Sequence, residues 1–201
     1  MAGEFYDANN VVVGHAMLML SPWAAADPIL DLSDFDEVPL FTPDDAAWAD
    51  YVSAGATNEG FKVNVETSTT QITIEEQSTP VGETVESKAI GIEAVLAEST
   101  LEAMRYSWGG GDITVVAAAS GTPGKESMNL VDDIQYYVAV LETRNFNGLA
   151  RRLGVPKVSI TGSGEVSFRR AADKQMFPIR AASLCKPTDI QIVDIVAPAL
   201  P

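Results

Sequence analysis

Three observations predict a mainly β chain, a β-sandwich or barrel with one flanking α-helix and long extended loops. Several stretches alternate apolar and polar residues with period two, the mark of strands with one buried face. Only one stretch combines a clear helical stripe with strong signals at both ends. Residues 21–57 hold prolines at 22, 28, 39 and 43 and eight acids without a base, the composition of a long loop. The 201 residues, 46% of them apolar, suffice for one domain with a real core, and the whole span 1–201 reads as that domain.

Taken in order, residues 11–20 read as a strand and 21–57 as the long loop, with one helical turn near Asp44–Trp48. A segment of that length without secondary structure is commonly functional or ordered by a partner. Phe61, Val63 and Val65, then Ile72 and Ile74, alternate as strands, and 66–88 reads as a hairpin arm. Residues 84–96 make a long strand whose apolar parity slips between Val85 and the set Ile90, Ile92, Ala94, Leu96, so a β-bulge is expected near Ser87-Lys88. The helix is expected at 99–108, with Ser99 and Glu102 as a capping box, Leu101, Met104, Arg105 and Trp108 on one face, and Gly109-Gly110-Gly111 as its stop. Strands follow at 113–119, at 134–140 and at 157–169, where Gly162 and Gly164 make a turn or a bulge, and then at 176–185 and 190–196. A second, shorter helix is expected from Asn145 to Leu153, closed by Gly154 and Pro156.

The formal charge of −15 is unevenly spread. Residues 1–61 carry eleven acids and no base, whereas Arg144 onward has nine bases and four acids, so the ends stand at −11 and +5. Such asymmetry favours head-to-tail association of copies and disfavours nucleic-acid binding, which needs Lys and Arg against phosphate. The single Cys185 excludes an internal disulfide and fits synthesis in a reducing cytoplasm. Met1–Glu4 lacks the basic start of an export signal, and the longest apolar run, Val11 to Leu20, is broken by Gly14 and His15 and is too short for a membrane anchor.

Catalytic groups are scarce. His15, the only histidine, sits at an apolar strand position and reads as structural, and "TGSGE" at 161–165 lacks the first glycine of a nucleophile elbow. "GTPGKES" at 121–127 lacks both the first glycine and the post-lysine hydroxyl of a phosphate loop, so Thr122-Pro123-Gly124 reads as a β-turn. "DLSDFDE" at 31–37 lacks the spacing of a calcium loop, and the adjacent acids at 44–45, 75–76 and 132–133 diverge in extended chain. Cys185 has no partner that would make it a zinc ligand or a nucleophile. The expectation is no enzyme, no cofactor and no metal.

The run Gly55–Gly111 resembles the central region of the major tail, or tail tube, proteins of long-tailed bacteriophages. The resemblance rests on Gly55, Thr57, Glu59 and Gly60; on Ile72, Glu75, Glu76, Gln77, Pro80 and Val81; and on Leu96, Ala97, Glu98, Thr100 and Leu101. The closing "VSFRRAADKQMFPIRAASLCKP" is similar to the family's last strands, so about two thirds of the chain is covered, without 21–57. It implies a virion protein that forms hexameric rings stacked into a tube. The tube is assembled in the host cytoplasm and meets tape measure, tail terminator and baseplate proteins. DNA passes through its lumen without specific binding, as negative walls allow. Ile72, Ile74, Glu75, Glu76 and Pro80 on the arm, with Arg169, Arg170 and Lys174 near the basic end, are the expected contacts between subunits.

Two alternatives belong to other classes. A secretion-system tube protein would share the fold and the rings. A β-sandwich surface- or carbohydrate-binding module would need clustered exposed aromatics, for which Trp23 and Trp48 flanking the loop are the only candidates.

Overall fold

The computed structural model describes residues 16–24, 51–73, 79–144, 150–162 and 175–194. The chain is mainly β and antiparallel. Strands β1 (Met17–Pro22), β2 (Val52–Ser53), β3 (Thr57–Ile72) and β4 (Gly82–Leu96) precede helix α1 (Leu101–Ser107). After it come β5 (Asp112–Val116), β6 (Lys125–Asn129), β7 (Tyr136–Arg144), β8 (Ala150–Ile160), β9 (Phe177–Ser183) and β10 (Gln191–Asp194). Among the described residues eight strands form one sheet in the order β2-β1-β7-β8-β9-β4-β3, with β10 also on β8, while β5 and β6 pair only with each other.

Alternation places one face of this sheet in the core. Leu18, Leu20, Ile92, Leu96, Val155, Val158, Ile160 and Phe177 are each at most 1% exposed, and α1 covers them with Ala103 and Tyr106. On the other face Met19 packs with Val140. Beside them Glu142 and its cross-strand partner Arg152 are buried as an ion pair of 2.7 Å. Both edges of β8 are used: β7 lies along one, while β10 (opposite Arg151–Gly154) and β9 (opposite Val158–Ile160) share the other.

Several expectations need correction. Ala150–Leu153 is strand, not the end of a second helix; Asn145–Leu149 lies outside the described residues. Gly154 and Pro156, which read as helix stops, serve β8 instead. Tyr137 is opposite Val158 and Ala139 opposite Val155, so β8 carries one extra residue at Pro156-Lys157. A bulge tolerates a proline, which has no N–H to give the ladder, and it lets Val155 and Val158 both face the core.

The helix is where it was expected, but its cap and face differ. Thr100, in extended conformation, is the N-cap, its hydroxyl accepting from Ala103 N–H at 3.1 Å. Ser99 donates instead to Gln175 at 2.6 Å. The buried residues are Ala103, Tyr106 and Ser107, while Trp108 is 38% exposed. Tyr106 packs edge-on against Tyr137, with ring centroids 5.6 Å apart, and its hydroxyl takes a hydrogen bond from Arg105 at 3.1 Å. Gly110 N–H donates to Arg105 O and Gly109 N–H to Tyr106 O, a Schellman stop in which Gly109 takes φ +84°. A Cβ on Gly162 would lie 2.5 Å from the Trp108 carbonyl, so the helix end docks on the end of β8 with no room between backbones. That close approach is the role of Gly162; the rest of the expected strand, 163–169, lies outside the described residues.

The ends of the expected 21–57 loop are strand: Ser21-Pro22 finish β1, and Val52-Ser53 form β2 against it. Trp23 is clasped where the chain leaves β1. Its N–H donates to Tyr136 O at 2.9 Å, and Lys157 Nζ sits 3.6 Å from its ring centroid. Residues 25–50, Trp48 among them, lie outside the described residues. The turn expected at Thr122–Gly124 falls one step earlier. Ala119 and Thr122 exchange backbone hydrogen bonds of 3.0 and 2.9 Å across Ser120-Gly121, and Lys125 begins β6, a strand the sequence did not suggest.

Candidate self-assembly surface

Strands β3 and β4 run far beyond the rest of the sheet. β9 covers β4 only from Gly91 to Leu96, after which Gly82–Ile90 pairs with β3 alone. β9 ends at Ser183, whose hydroxyl accepts Ile90 N–H at 2.8 Å, and beyond that point neither edge of the ribbon is paired among the described residues. Eight residues of β3, Val65–Ile72, lie past it, roughly 26 Å of extended chain at about 3.3 Å per residue.

The motif residues behind the resemblance build the root of this ribbon. Gly55 takes φ +102° against Glu98, a Cβ there lying 3.1 Å from Oε2, and Glu98 Oε1 accepts Ala56 N–H at 2.9 Å. Ala97 N–H donates to Ala56 O at 2.8 Å, Thr57 is paired with Leu96, and the Thr57 hydroxyl accepts Gly60 N–H at 3.0 Å. Thr100 then caps the helix. Two stretches forty residues apart in the chain are thus stitched into one anchor, and Glu98 joins them.

The two faces of the ribbon differ in chemistry. Residues directly opposite each other share a face. Phe61 with Ala94, Val63 with Ile92 and Val65 with Ile90 therefore continue the core face outward. Between Ser68–Ser87 and Thr69–Val85 the register skips Glu86, so β4 is bulged there, one residue from the expected place. The skip exchanges faces and returns Val85 to the apolar side. Along that side burial fades: Ile92 is 1% exposed, Val63 40%, Val65 54% and Val85 58%. On the opposite side the Glu86 carboxylate accepts from the hydroxyls of Ser68, at 3.4 Å, and Thr70, which fixes the bulge. These valines share their side with Thr67, Lys88, Thr69, Gln71 and Glu83, and among the described residues nothing covers them, as on an unprotected strand pair.

Ile72 closes the ribbon, 46% exposed, with its carbonyl accepting Val81 N–H at 2.9 Å, and Pro80 is exposed in the connection. Of the other expected contacts, Ile74, Glu75, Glu76, Arg169, Arg170 and Lys174 lie outside the described residues, as does His15. Cys185 is half-buried beside the core, and burial pushes its thiol pKa up, which disfavours the reactive thiolate. Among the described residues no group of three or more His, Cys, Asp or Glu could hold a metal ion, and no helix is long and apolar enough to cross a membrane.

Sequence reasoning missed a charged row across the outer face of three strands. Lys62 is opposite Glu93, and Glu93 is opposite Arg180 with 3.3 Å between their charged groups. The row lines a cleft of about 300 Å³ together with Gly60 and Pro178. Its charges come from strands not adjacent in sequence, so only strand order reveals it. Comparison of the sequence with protein-family models and with curated proteins finds no match.

Proposed function

We propose that this chain is a structural tail tube protein that self-assembles into hexameric rings stacked as a conduit for DNA. The observation that carries the reading is the β3–β4 ribbon, whose exposed valines and two edges have no cover among the described residues. A ribbon of this kind is marginal alone in water, and a neighbouring copy supplies what it lacks: main-chain hydrogen bonds along β3 and a surface for Val63, Val65 and Val85. The eight-stranded sheet, with α1 on its inner face, is read as the sandwich or barrel of such a subunit. The outer part of the ribbon's polar side, with Glu66, Ser68, Thr70 and Thr84 beyond Lys62 at the root, suits a wall along which DNA slides, since it offers acid and hydroxyl groups where binding would need bases. On this reading the protein works in the virion tail, without a cofactor, and meets tape measure, terminator and baseplate proteins at the tube's interior and ends.

Negative-stain microscopy of the purified protein tests the reading. Rings or tubes with a central hole are expected; a dispersed monomer at high concentration counts against it.

A further inference from the structure

We propose that the cleft at the root of the ribbon, between Glu59, Lys62, Glu93 and Arg180, is a binding site for a small zwitterion with an apolar body, a free aliphatic α-amino acid. The proposal does not rest on the tube reading. The cleft lies on the outer face of the sheet, on the side of the ribbon opposite Val63, Val65 and Val85.

A bulge shapes the hollow. β3 pairs with β4 at Thr57–Leu96 and next at Phe61–Ala94, so Asn58, Glu59 and Gly60 together stand against Val95. Bulges re-aim side chains and gather beside functional sites. The Thr57 hydroxyl accepts Gly60 N–H at 3.0 Å, Gly60 takes φ +84°, and a Cβ there would meet nothing within 4 Å. The strand thus adds no side chain where the cleft opens. Val95 and its cross-strand partner Pro178, both half-buried, share the outer face with Glu93 and Arg180 two residues along and supply the apolar lining.

The charged lining is largely unspent. Arg180 lies 3.3 Å from Glu93 and otherwise makes no ion pair or hydrogen bond among the described residues. Lys62 is opposite Glu93 in the ladder but does not close on it, and neither Lys62 nor Glu59 has an ion pair among the described residues. Two bases and two acids therefore line about 300 Å³, the lower end of the range for small-ligand clefts.

Charge balance selects the ligand class. A simple anion would face Glu59 and Glu93, and a simple cation would face Lys62 and Arg180, whereas a zwitterion matches both signs. The planar fork of Arg180 suits a carboxylate through two N–H groups, with Lys62 as a second cation. Glu59 and Glu93 accept from the ammonium, and the aliphatic chain packs on Val95 and Pro178.

Ligand-observed saturation-transfer NMR tests the site with L-leucine, with isocaproate, which lacks the ammonium, and with isoamylamine, which lacks the carboxylate. Wild type is compared with Arg180→Gln and Glu59→Gln, and circular dichroism verifies the fold. L-leucine is expected to saturate in the low millimolar range, the scale for so small a ligand, and each analogue to bind about three- to tenfold more weakly. Arg180→Gln should weaken L-leucine and isocaproate without weakening isoamylamine, and Glu59→Gln should weaken L-leucine and isoamylamine without weakening isocaproate. L-leucine that does not saturate, analogues that bind as tightly as L-leucine, or variants that weaken all three ligands equally would overturn the site. Microscopy decides the tube reading separately, so failure of one leaves the other standing.

Discussion

Replacing Val65 and Val85 with threonine separates an assembly surface from a core. Both side chains lie on the apolar face of the β3–β4 ribbon, 54% and 58% exposed in the single chain. Threonine keeps the branched shape that suits a strand and exchanges one methyl for a hydroxyl. In the monomer that hydroxyl meets water, so stability should change by no more than about 0.5 kcal/mol. Under a neighbouring copy each hydroxyl is desolvated, at about 1–2 kcal/mol without a partner, or about 2–4 kcal/mol for the pair. At about 1.4 kcal/mol per factor of ten, subunit contact should weaken about 30- to 1,000-fold. Light scattering against protein concentration reads the onset of assembly, and a thermal melt by circular dichroism reads the monomer. Thr84→Ser, on the polar side, is the control and should leave the onset unchanged. Assembly of the double variant at the wild-type concentration would refute the role of this face. A melt many degrees lower would show that the valines belong to the subunit's own core.

Two further predictions concern the subunit. Gly162→Ala places a Cβ 2.5 Å from the Trp108 carbonyl, where only backbone can give way, so overpacking of about 1–3 kcal/mol should exceed the ~0.4–1 kcal/mol that alanine gains by restricting the unfolded chain. Urea unfolding should show a net loss, and equal or greater stability would refute the close approach. Burial, only partly offset by Arg105, pushes the Tyr137 hydroxyl up to about 12 from 10.0. The folded state thus favours the neutral phenol, a contribution complete below pH 10 and lost as pH rises towards 12. Tyr137→Phe should flatten the fall of stability across that window, and an unchanged slope would remove Tyr137 as its source.

The legible parts of the fold were those governed by local rules. The parity slip at Val85–Ile90 located the bulge to within one residue, because a half-buried strand cannot change face without one. Gly109-Gly110-Gly111 announced the helix stop for the same local reason. The cap was misread because the hydroxyl oxygens of Ser99 and Thr100 can each accept from a first-turn N–H. The choice between them was made by Gln175, which engages Ser99 from 76 residues away. The buried helix face was misread because Leu101 and Trp108 outweigh Ala103 and Tyr106 in hydrophobicity, yet the space over the sheet admits Ala103 and an edge-on tyrosine. In β8, Gly154 and Pro156 carry the same letters as a helix terminator, and only the register with β7 identifies a bulged strand. The candidate surface was legible as an arm at 66–88, but its one-sided chemistry depends on which residues face each other across the ribbon.

Strand pairing also narrows the electrostatic argument. The +5 of the chain from Arg144 onward suggests a strongly basic end, free to meet the acidic front of another copy. Yet Arg144 and Arg152 both turn to Glu142, Arg151 meets Asp194 at 2.5 Å, and Arg180 meets Glu93. Lys157 lies over the rings of Trp23 and Tyr136. Of the six bases described from Arg144 onward, Lys186 alone meets neither a carboxylate nor an aromatic ring among the described residues; Arg169, Arg170 and Lys174 lie outside them. Charges already matched within a subunit add little to contact between subunits, and exposed pairs are worth at most about 1 kcal/mol each before salt screens them. Under the proposed self-assembly, the exposed valines of the β3–β4 ribbon and its strand edges, unpaired among the described residues, are therefore expected to carry a larger share of association than charge.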